Sequence, residues 1–342
     1  MGTANKRDVL FLLTVDTEEE FDWNGEFPQE NCAVSNIERI PALHGLCESL
    51  GIRPTYLVDY PVAANPASAA TLRAIYEGGN AEIGAHLHPW CTPPISGPNG
   101  ERESHVVNLA PDLVEAKLSN LLQAIQNNIG AQPTSFRTGR WGINPTVMQI
   151  IQRRGFTVDS SVYPHYRNEF FSCMDAYTMP YWPSATHPNR PGPAGDILEI
   201  PVTAGFNRPG FGFWGKVHQW LSSRKLEFLH PIGLAWHMNL LKKLYLSPEL
   251  SSAEDMIVLV DAALKSGHPT IHMYLHSSTL IDSNEQFNAH GLDEAGIHRC
   301  IETVYEHVTR VANVTPCTLS EARSALTSGF AGYSPPVSNA TS

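Results

Sequence analysis

The stretch VLFLLTVD, residues Val9–Asp16, runs straight into the acidic string Thr17-Glu18-Glu19-Glu20. It is short, aliphatic and β-branched, and it stops at a carboxylate, so it reads as a buried strand ending at a polar rim. Six more segments have the same character: Thr55–Tyr60, Glu82–His88, Ser135–Arg140, Thr157–Ser161, Ile197–Thr203 and Thr270–Ser277. Between most of them the apolar period becomes helical. Ser35–Leu50 carries Ile37, Ile40, Leu43, Leu46, Cys47 and Leu50 and is closed by Gly51. Ala67–Glu77, Pro111–Asn128, Pro145–Arg154 and Ala253–Lys265 each stop at or just before a glycine, and Ala295–Val314 follows the last strand. Such stops are common helix C-termini. Strand alternating with helix argues for a parallel sheet or barrel. There is no GxGxxG and no GxxxxGK[ST] motif. Seven units without a nucleotide fingerprint favour a closed or nearly closed barrel over a Rossmann sheet.

Two regions break the alternation. Pro89–Asn108 is a Pro/Gly-rich loop. Residues 206–250 form an insertion rich in aromatics (Phe206, Phe211, Phe213, Trp214, Trp220, Phe228, Trp236 and Tyr245), with a helix expected over Leu234–Leu246. It is expected to pack over the barrel as a subdomain or to serve as a lid or substrate wall. The expected organisation is one domain over residues 8–325 and a disordered tail over 326–342.

The 342 residues are 42% apolar and 17% charged, which allows a large core and excludes a disordered or fibrous chain. Acids outnumber bases 34 to 23, for a net charge of −11, which argues against a nucleic-acid partner. Six scattered cysteines without a CxxC pair read as reduced thiols. The first apolar run is too short to span a membrane, so no transmembrane segment is expected and a cytoplasmic location is the default. Nothing in the sequence fixes an oligomeric state. Fifteen histidines are the conspicuous excess, since histidine is the commonest metal ligand and acid/base residue.

In parallel α/β barrels the active site sits at the C-terminal strand ends. Five of the seven expected ends carry ionisable groups: Asp16 and Glu18; His86 and His88; Arg137; Asp159; and His276. Residues two apart on a strand face one side, so Asp16 with Glu18, and His86 with His88, bring two carboxylates and two imidazoles to one cleft. Mixed N/O donors suit zinc, and also cobalt, nickel or iron. A permanently charged Arg137 near Asp16 would lower that acid's pKa and orient it as a base. His276 is placed to act as a general acid. His272, deeper in the same strand, reads as core.

The segments TVDTEEEFDW, EIGAHLHPW, SFRTGRWGIN, VDSSVYP and MYLHSSTL, in this order, resemble the NodB-homology polysaccharide deacetylases of carbohydrate esterase family 4. The WalW-like proteins are the most similar subgroup. The resemblance spans roughly residues 8 to 320. It implies a distorted (β/α)7 barrel that removes N-acetyl or O-acetyl groups from sugars with a divalent metal, usually zinc. It implies Asp16 as base, Glu18, His86 and His88 as metal ligands, Arg137 as the arginine holding the base, His276 as the catalytic histidine and Asp159 as the acid that tunes it. The family usually has His-x-x-x-His after the third strand, whereas this chain has His86-Leu87-His88 and puts Trp90 where the second histidine falls.

The function expected is hydrolysis of an acetyl group, N-acetyl first, on an acetylated saccharide, in lipopolysaccharide or surface-polysaccharide biosynthesis. Trp90, Trp141 and the insertion's aromatics are candidate sugar platforms. Two alternatives stay open. One is an allantoinase-like amidohydrolase acting on a small C–N substrate. The other is a non-catalytic sugar-binding protein, which the altered histidine spacing favours.

Overall fold

A computed structural model describes residues 6–20, 27–30, 32–95, 97–222, 233, 238, 240–281 and 290–338. All seven expected strands are present: β1 (Arg7–Thr17), β2 (Thr55–Val58), β3 (Glu82–Leu87), β4 (Ser135–Thr138), β5 (Val158–Asp159), β6 (Leu198–Glu199) and β9 (Thr270–His276). They pair in parallel as β9-β1-β2-β3-β4-β5-β6. The gap between β6 and β9 has no ladder; Thr203 N donates to His272 O across it at 3.0 Å. The result is a distorted (β/α)7 barrel.

The sequence pattern explains which way each side chain points. On β1, Val9, Phe11, Leu13 and Val15 pack outward against the helices, in the larger apolar cluster. Leu10 and Leu12 point inward, against Leu57, Val158, Leu198 and Ile200. The period of two then continues the inward row through Thr14 to Asp16. The same alternation holds on β9, where Ile271, Met273 and Leu275 belong to the outer cluster, leaving His272, Tyr274 and His276 for the interior. On β4, Phe136 is outer and Arg137 inner.

The helices are α1 (Ile40–Leu50), α2 (Tyr60–Ala64), α3 (Pro66–Glu77), α4 (Pro111–Asn128), α5 (Pro145–Arg153), α6 (Phe211–Leu221), α7 (Ala253–Lys265), α8 (Glu294–Val311) and α9 (Leu319–Thr327). Asp59, Asn65, Asn144, Ser252 and Asp293 each cap the helix that follows, as short polar side chains do. Gly51 ends α1 at φ 70°, a conformation that costs glycine least.

Two expectations of secondary structure are corrected. The helix expected over Ala295–Val314 stops at Val311, and Ala312–Pro316 forms a strand, β10, which pairs with β1 from Arg7 to Phe11. Its β-branched Val314 and Thr315 suit a strand better than a helix end. Residues Lys243–Tyr245, expected to be helical, form a strand, β8, antiparallel to β7 (Ala204–Phe206). Most of that expected helix, with Trp236, and Phe228 of the same insertion, lie outside the described residues. At the start of the expected tail, α9 runs to Thr327. Phe330 and Tyr333 pack on the inner cluster, and Tyr333 Oη donates to Pro180 O at 2.6 Å. Residues 339–342 lie outside the described part.

Among the described residues, no helix is long and apolar enough to cross a membrane. All six cysteines are free.

Candidate active site

Strand pairing sets Asp16 opposite His276 and His86 opposite Arg137. Asp16 is 1% exposed and Arg137 is fully buried. Arg137 Nη1 donates to Asp16 Oδ1 at 2.5 Å. The rest of the guanidinium is fixed by Ser160 O, Ser160 Oγ and Thr14 Oγ1 at 2.9–3.0 Å. Thr14 Oγ1 in turn meets His272 Nε2 at 3.0 Å, and His272 Nδ1 meets Pro201 O at 3.1 Å. The fourteenth and 272nd residues thus brace the arginine from behind. Burial opposes ionisation of Asp16, but the Arg137 charge, with help from His86 and His276, outweighs it and holds the carboxyl below its usual range.

His276 Nε2 stands 3.7 Å from Asp16 Oδ2. Its other nitrogen, Nδ1, is 2.9 Å from Glu249 Oε2, and its backbone N–H donates to Glu249 Oε1. Burial disfavours the imidazolium, yet Glu249, Glu18 and Asp16 raise the His276 pKa to about 10. At neutral pH the pair is therefore an ionised acid beside a protonated histidine.

The carboxylate on His276 is Glu249, not Asp159. Asp159 accepts from Ser161 Oγ at 2.6 Å and lies against Glu199. Burial, and then the Asp159 charge, push Glu199 well above the ordinary carboxylate range, so that pair shares a proton. Asp159, expected to tune the histidine, thus pairs with Glu199, while His276 Nδ1 faces Glu249. Glu249 lies in the loop Ser247–Ser251, where no periodicity marks it. Its one sequence signal is a glutamate in a short Ser/Pro-rich link between a strand and a helix.

Glu18, His86 and His88 converge on one point. Glu18 Oε2 is 3.3 Å from His86 Nε2 and 3.2 Å from His88 Nε2. All three side chains are buried, and Glu18 Oε1 and Oε2, His86 Nδ1 and Nε2, and His88 Nε2 make no hydrogen bond among the described residues. One ligand atom from each lies within 4.8 Å of the others. Donors about 2.0–2.1 Å from a tetrahedral ion stand about 3.3 Å apart, so these residues fit a divalent cation. The chemistry of the set, two imidazoles and a carboxylate, suits zinc. Burial is the largest influence on His86 and lowers its pKa, which keeps it a neutral donor.

The shortened histidine spacing is met by the strand period, since residues two apart on one face both reach the same side. His88 is then locked from behind. Its Nδ1 lies 2.8 Å from Glu19 Oε2, and its ring stacks on Trp90 at 4.2 Å. Trp90 Nε1 donates to Glu19 Oε1 at 2.6 Å. Glu19 N donates to Asp59 Oδ2 at 2.9 Å. Burial and the neighbouring Glu19 raise Asp59 well above the ordinary range, so it holds the proton of that acid pair. Trp90 is 2% exposed, so it is a bracket for His88 and not a sugar platform. Trp141 is half-buried and stacks on Tyr163 with ring centroids 4.5 Å apart. Phe21 to Trp23 of the first motif lie outside the described residues.

No family model and no curated protein matches the sequence. Solved structures do. A Mycobacterium smegmatis protein described as a polysaccharide deacetylase superposes over 100% of this chain and 97% of its own, with a TM-score of 0.53 at 14% identity. The barrel is of the NodB type. A family 4 acetyl xylan esterase from Clostridium thermocellum, solved with a cobalt ion, aligns over 91% of this chain and 89% of its own at 13% identity and a TM-score of 0.41. A family 4 carbohydrate esterase from Streptomyces lividans, solved with acetate, aligns over 46% and 63% at 17% identity and a TM-score of 0.30. On this NodB-type barrel the inward strand ends hold Asp16, His86, Arg137 and His276, and the segments just beyond hold Glu18, His88 and Glu249.

Proposed function

We propose that this chain is a metal-dependent hydrolase that removes an acetyl group, most readily N-acetyl, from a saccharide. The observation that supports this best is Asp16, held by Arg137 and facing His276 at 3.7 Å, beside the unsatisfied donors of Glu18, His86 and His88. A divalent cation, zinc by the donor set, would polarise the acyl carbonyl and acidify water. Asp16 is ionised and takes the proton from the water that attacks the carbonyl carbon. His276 is protonated at Nε2 and gives that proton to the departing amine nitrogen as the C–N bond breaks. An amide nitrogen is a poor leaving group, so the acid on its side is as necessary as the base on the other. Arg137 keeps the base charged and fixed, and Glu249 keeps His276 charged and aimed. The products are acetate and the free amino sugar.

Asp16→Asn and His276→Ala should each abolish acetate release from acetylated sugars while the circular dichroism spectrum is unchanged. Near-wild-type activity in either variant overturns the assignment. Elemental analysis of the purified chain should find one divalent ion, lost on His86→Ala. A panel that sets acetylated sugars against ureides tests the substrate side.

A further inference from the structure

We propose that a cavity beside the β7–β8 ribbon is a phosphate subsite, built from His165, Arg167, His218 and Lys243. It would take the phosphate of a phosphorylated saccharide; the saccharide part rests on the deacetylase reading, the phosphate part does not.

The cavity is about 650 Å3 and is lined by these four residues with Tyr166, Met174, Gln219 and Ser222. That volume lies in the range of small-ligand sites. One of the four side chains is a guanidinium, one an ammonium and two are imidazoles, yet no carboxylate lines the cavity among the described residues. Among the described residues, Lys243 Nζ meets the His165 carbonyl at 3.3 Å and the face of Tyr245 at 5.4 Å. Arg167 and Lys243 have no carboxylate beside them among the described lining residues, and an anion would relieve the cost of gathering like charges.

The second observation is His165. It is 4% exposed, and neither ring nitrogen has a hydrogen-bond partner among the described residues. A buried polar group without a partner is rare and costs free energy. The backbone is also unusual there, with φ at 61°, where a side chain is strained. The conformation is held by His165 N donating to Cys173 O at 3.1 Å and by Lys243 on its carbonyl. Helix α6 makes room for the ring with Gly215, where a Cβ would come within 3.0 Å of it. The chain thus spends strain and an open helix face to hold an imidazole in this wall. A phosphate oxygen would give that ring nitrogen its missing partner.

The cavity is joined to the Asp16 site by aromatic side chains. Arg137 lies under Trp141 (4.8 Å), Trp141 stacks on Tyr163 (4.5 Å), Tyr163 stacks on Tyr245 (4.7 Å), and Tyr245 meets Lys243. Tyr163 is buried between Trp141 and Tyr245, so the stack links the two sites as a packed partition. Arginine and lysine together favour phosphate over a singly charged carboxylate. The shared chemistry is a phosphoester, carried by a soluble sugar phosphate or by a lipid-linked diphosphate.

The full chain is titrated with inorganic phosphate and with pyrophosphate, at constant ionic strength, while the histidine Hε1 resonances are followed. Acetate serves as control. The resonance absent from His165→Asn should move with phosphate and not with acetate. Lys243→Met and Arg167→Met should each raise Kd about tenfold, the loss of one charge-assisted hydrogen bond. Arg167 is exposed, so its substitution leaves the fold intact. An equal response to acetate, or a Kd unmoved by both substitutions, overturns the subsite. If phosphate binds as expected but no acetylated sugar phosphate releases acetate, the subsite stands and the deacetylase reading falls. With turnover, a preference for N-acetylglucosamine 1-phosphate over the same sugar on a lipid diphosphate identifies the soluble source, and the reverse the lipid.

Discussion

Gly139 is the residue on which the metal donors depend most directly without being one of them. A Cβ there would stand 2.0 Å from His88 Cδ2, 2.8 Å from His88 Nε2 and 2.8 Å from Leu87 O. The imidazole cannot yield, because Glu19 and Trp90 hold its other side. Gly139→Ala should therefore weaken zinc binding about 10- to 100-fold, as loss of a residue that orients a ligand does. Competition with a chromogenic chelator measures this. Gly45→Ala, in α1, where a Cβ meets nothing within 4 Å, should leave zinc affinity unchanged. At this scale the sequence was readable only where the strand period fixed direction. Asp16, His86, Arg137 and His276 lie on inward rows and could be picked out. The three adjacent glutamates could not be told apart. Glu18 turns to the donor cluster, Glu19 backs His88, and Glu20 accepts from Ser35 Oγ and Asn36 N. Those three jobs depend on partners up to 72 positions away.

At the scale of elements, all seven barrel strands were legible, but the lengths of the short ones were not, and β7, β8 and β10 were missed. β1 and β9 carry uninterrupted aliphatic runs, whereas β5 and β6 are two residues each and owe their pairing to neighbours. β10 was hidden because its first residues continue the helical period of α8. The loop from β8 to α7 brings Glu249 to His276, and it came from the insertion that looked peripheral. There Glu249 accepts from His276 N and Thr279 Oγ1 at 2.5 and 3.1 Å, and from Ser247 Oγ at 3.3 Å, so its position is over-determined. Glu249→Gln should keep the fold and lower kcat by about 10²- to 10⁴-fold, by analogy with loss of the acid behind a catalytic histidine. Because Glu249 is the largest influence raising His276, the alkaline limb of the rate profile should move to lower pH. A kcat loss with an unmoved alkaline limb would make Glu249 a packing residue only.

For the molecule as a whole, burial away from the Glu18 cluster keeps His165, His268 and His272 neutral. Burial first, then nearby positive charge, pushes His165 and His268 to about 4 and His272 to about 3. Their unfolded value is near 6.5. Between those limits the unfolded chain binds protons that the folded chain refuses, so these groups remove stability as pH falls from 6.5 toward 4. His268 lies 3.1 Å from Thr178 Oγ1 and packs on Phe211, away from the Asp16 cluster. His268→Asn should be less stable than the parent at pH 7. Its deficit should shrink by roughly 2–3 kcal/mol at pH 4.5, read from urea unfolding at both pH values. A constant deficit would mean that His268 carries its proton in the folded state.

The central place of β1 has a consequence for how the chain is made. β1 is synthesised first, yet its edges are covered by β9 on one side and by β10 and β2 on the other. Thr14 and His272 meet across 258 residues of chain. Until most of the polypeptide has emerged, VLFLLTV has one edge open and its aliphatic faces uncovered, a segment prone to pair with other chains. Folding dominated by such distant contacts is slow. Asp16 can meet Arg137 once β4 has been made and His276 only after β9, so a chain that stops before β9 carries half of the proposed acid–base pair.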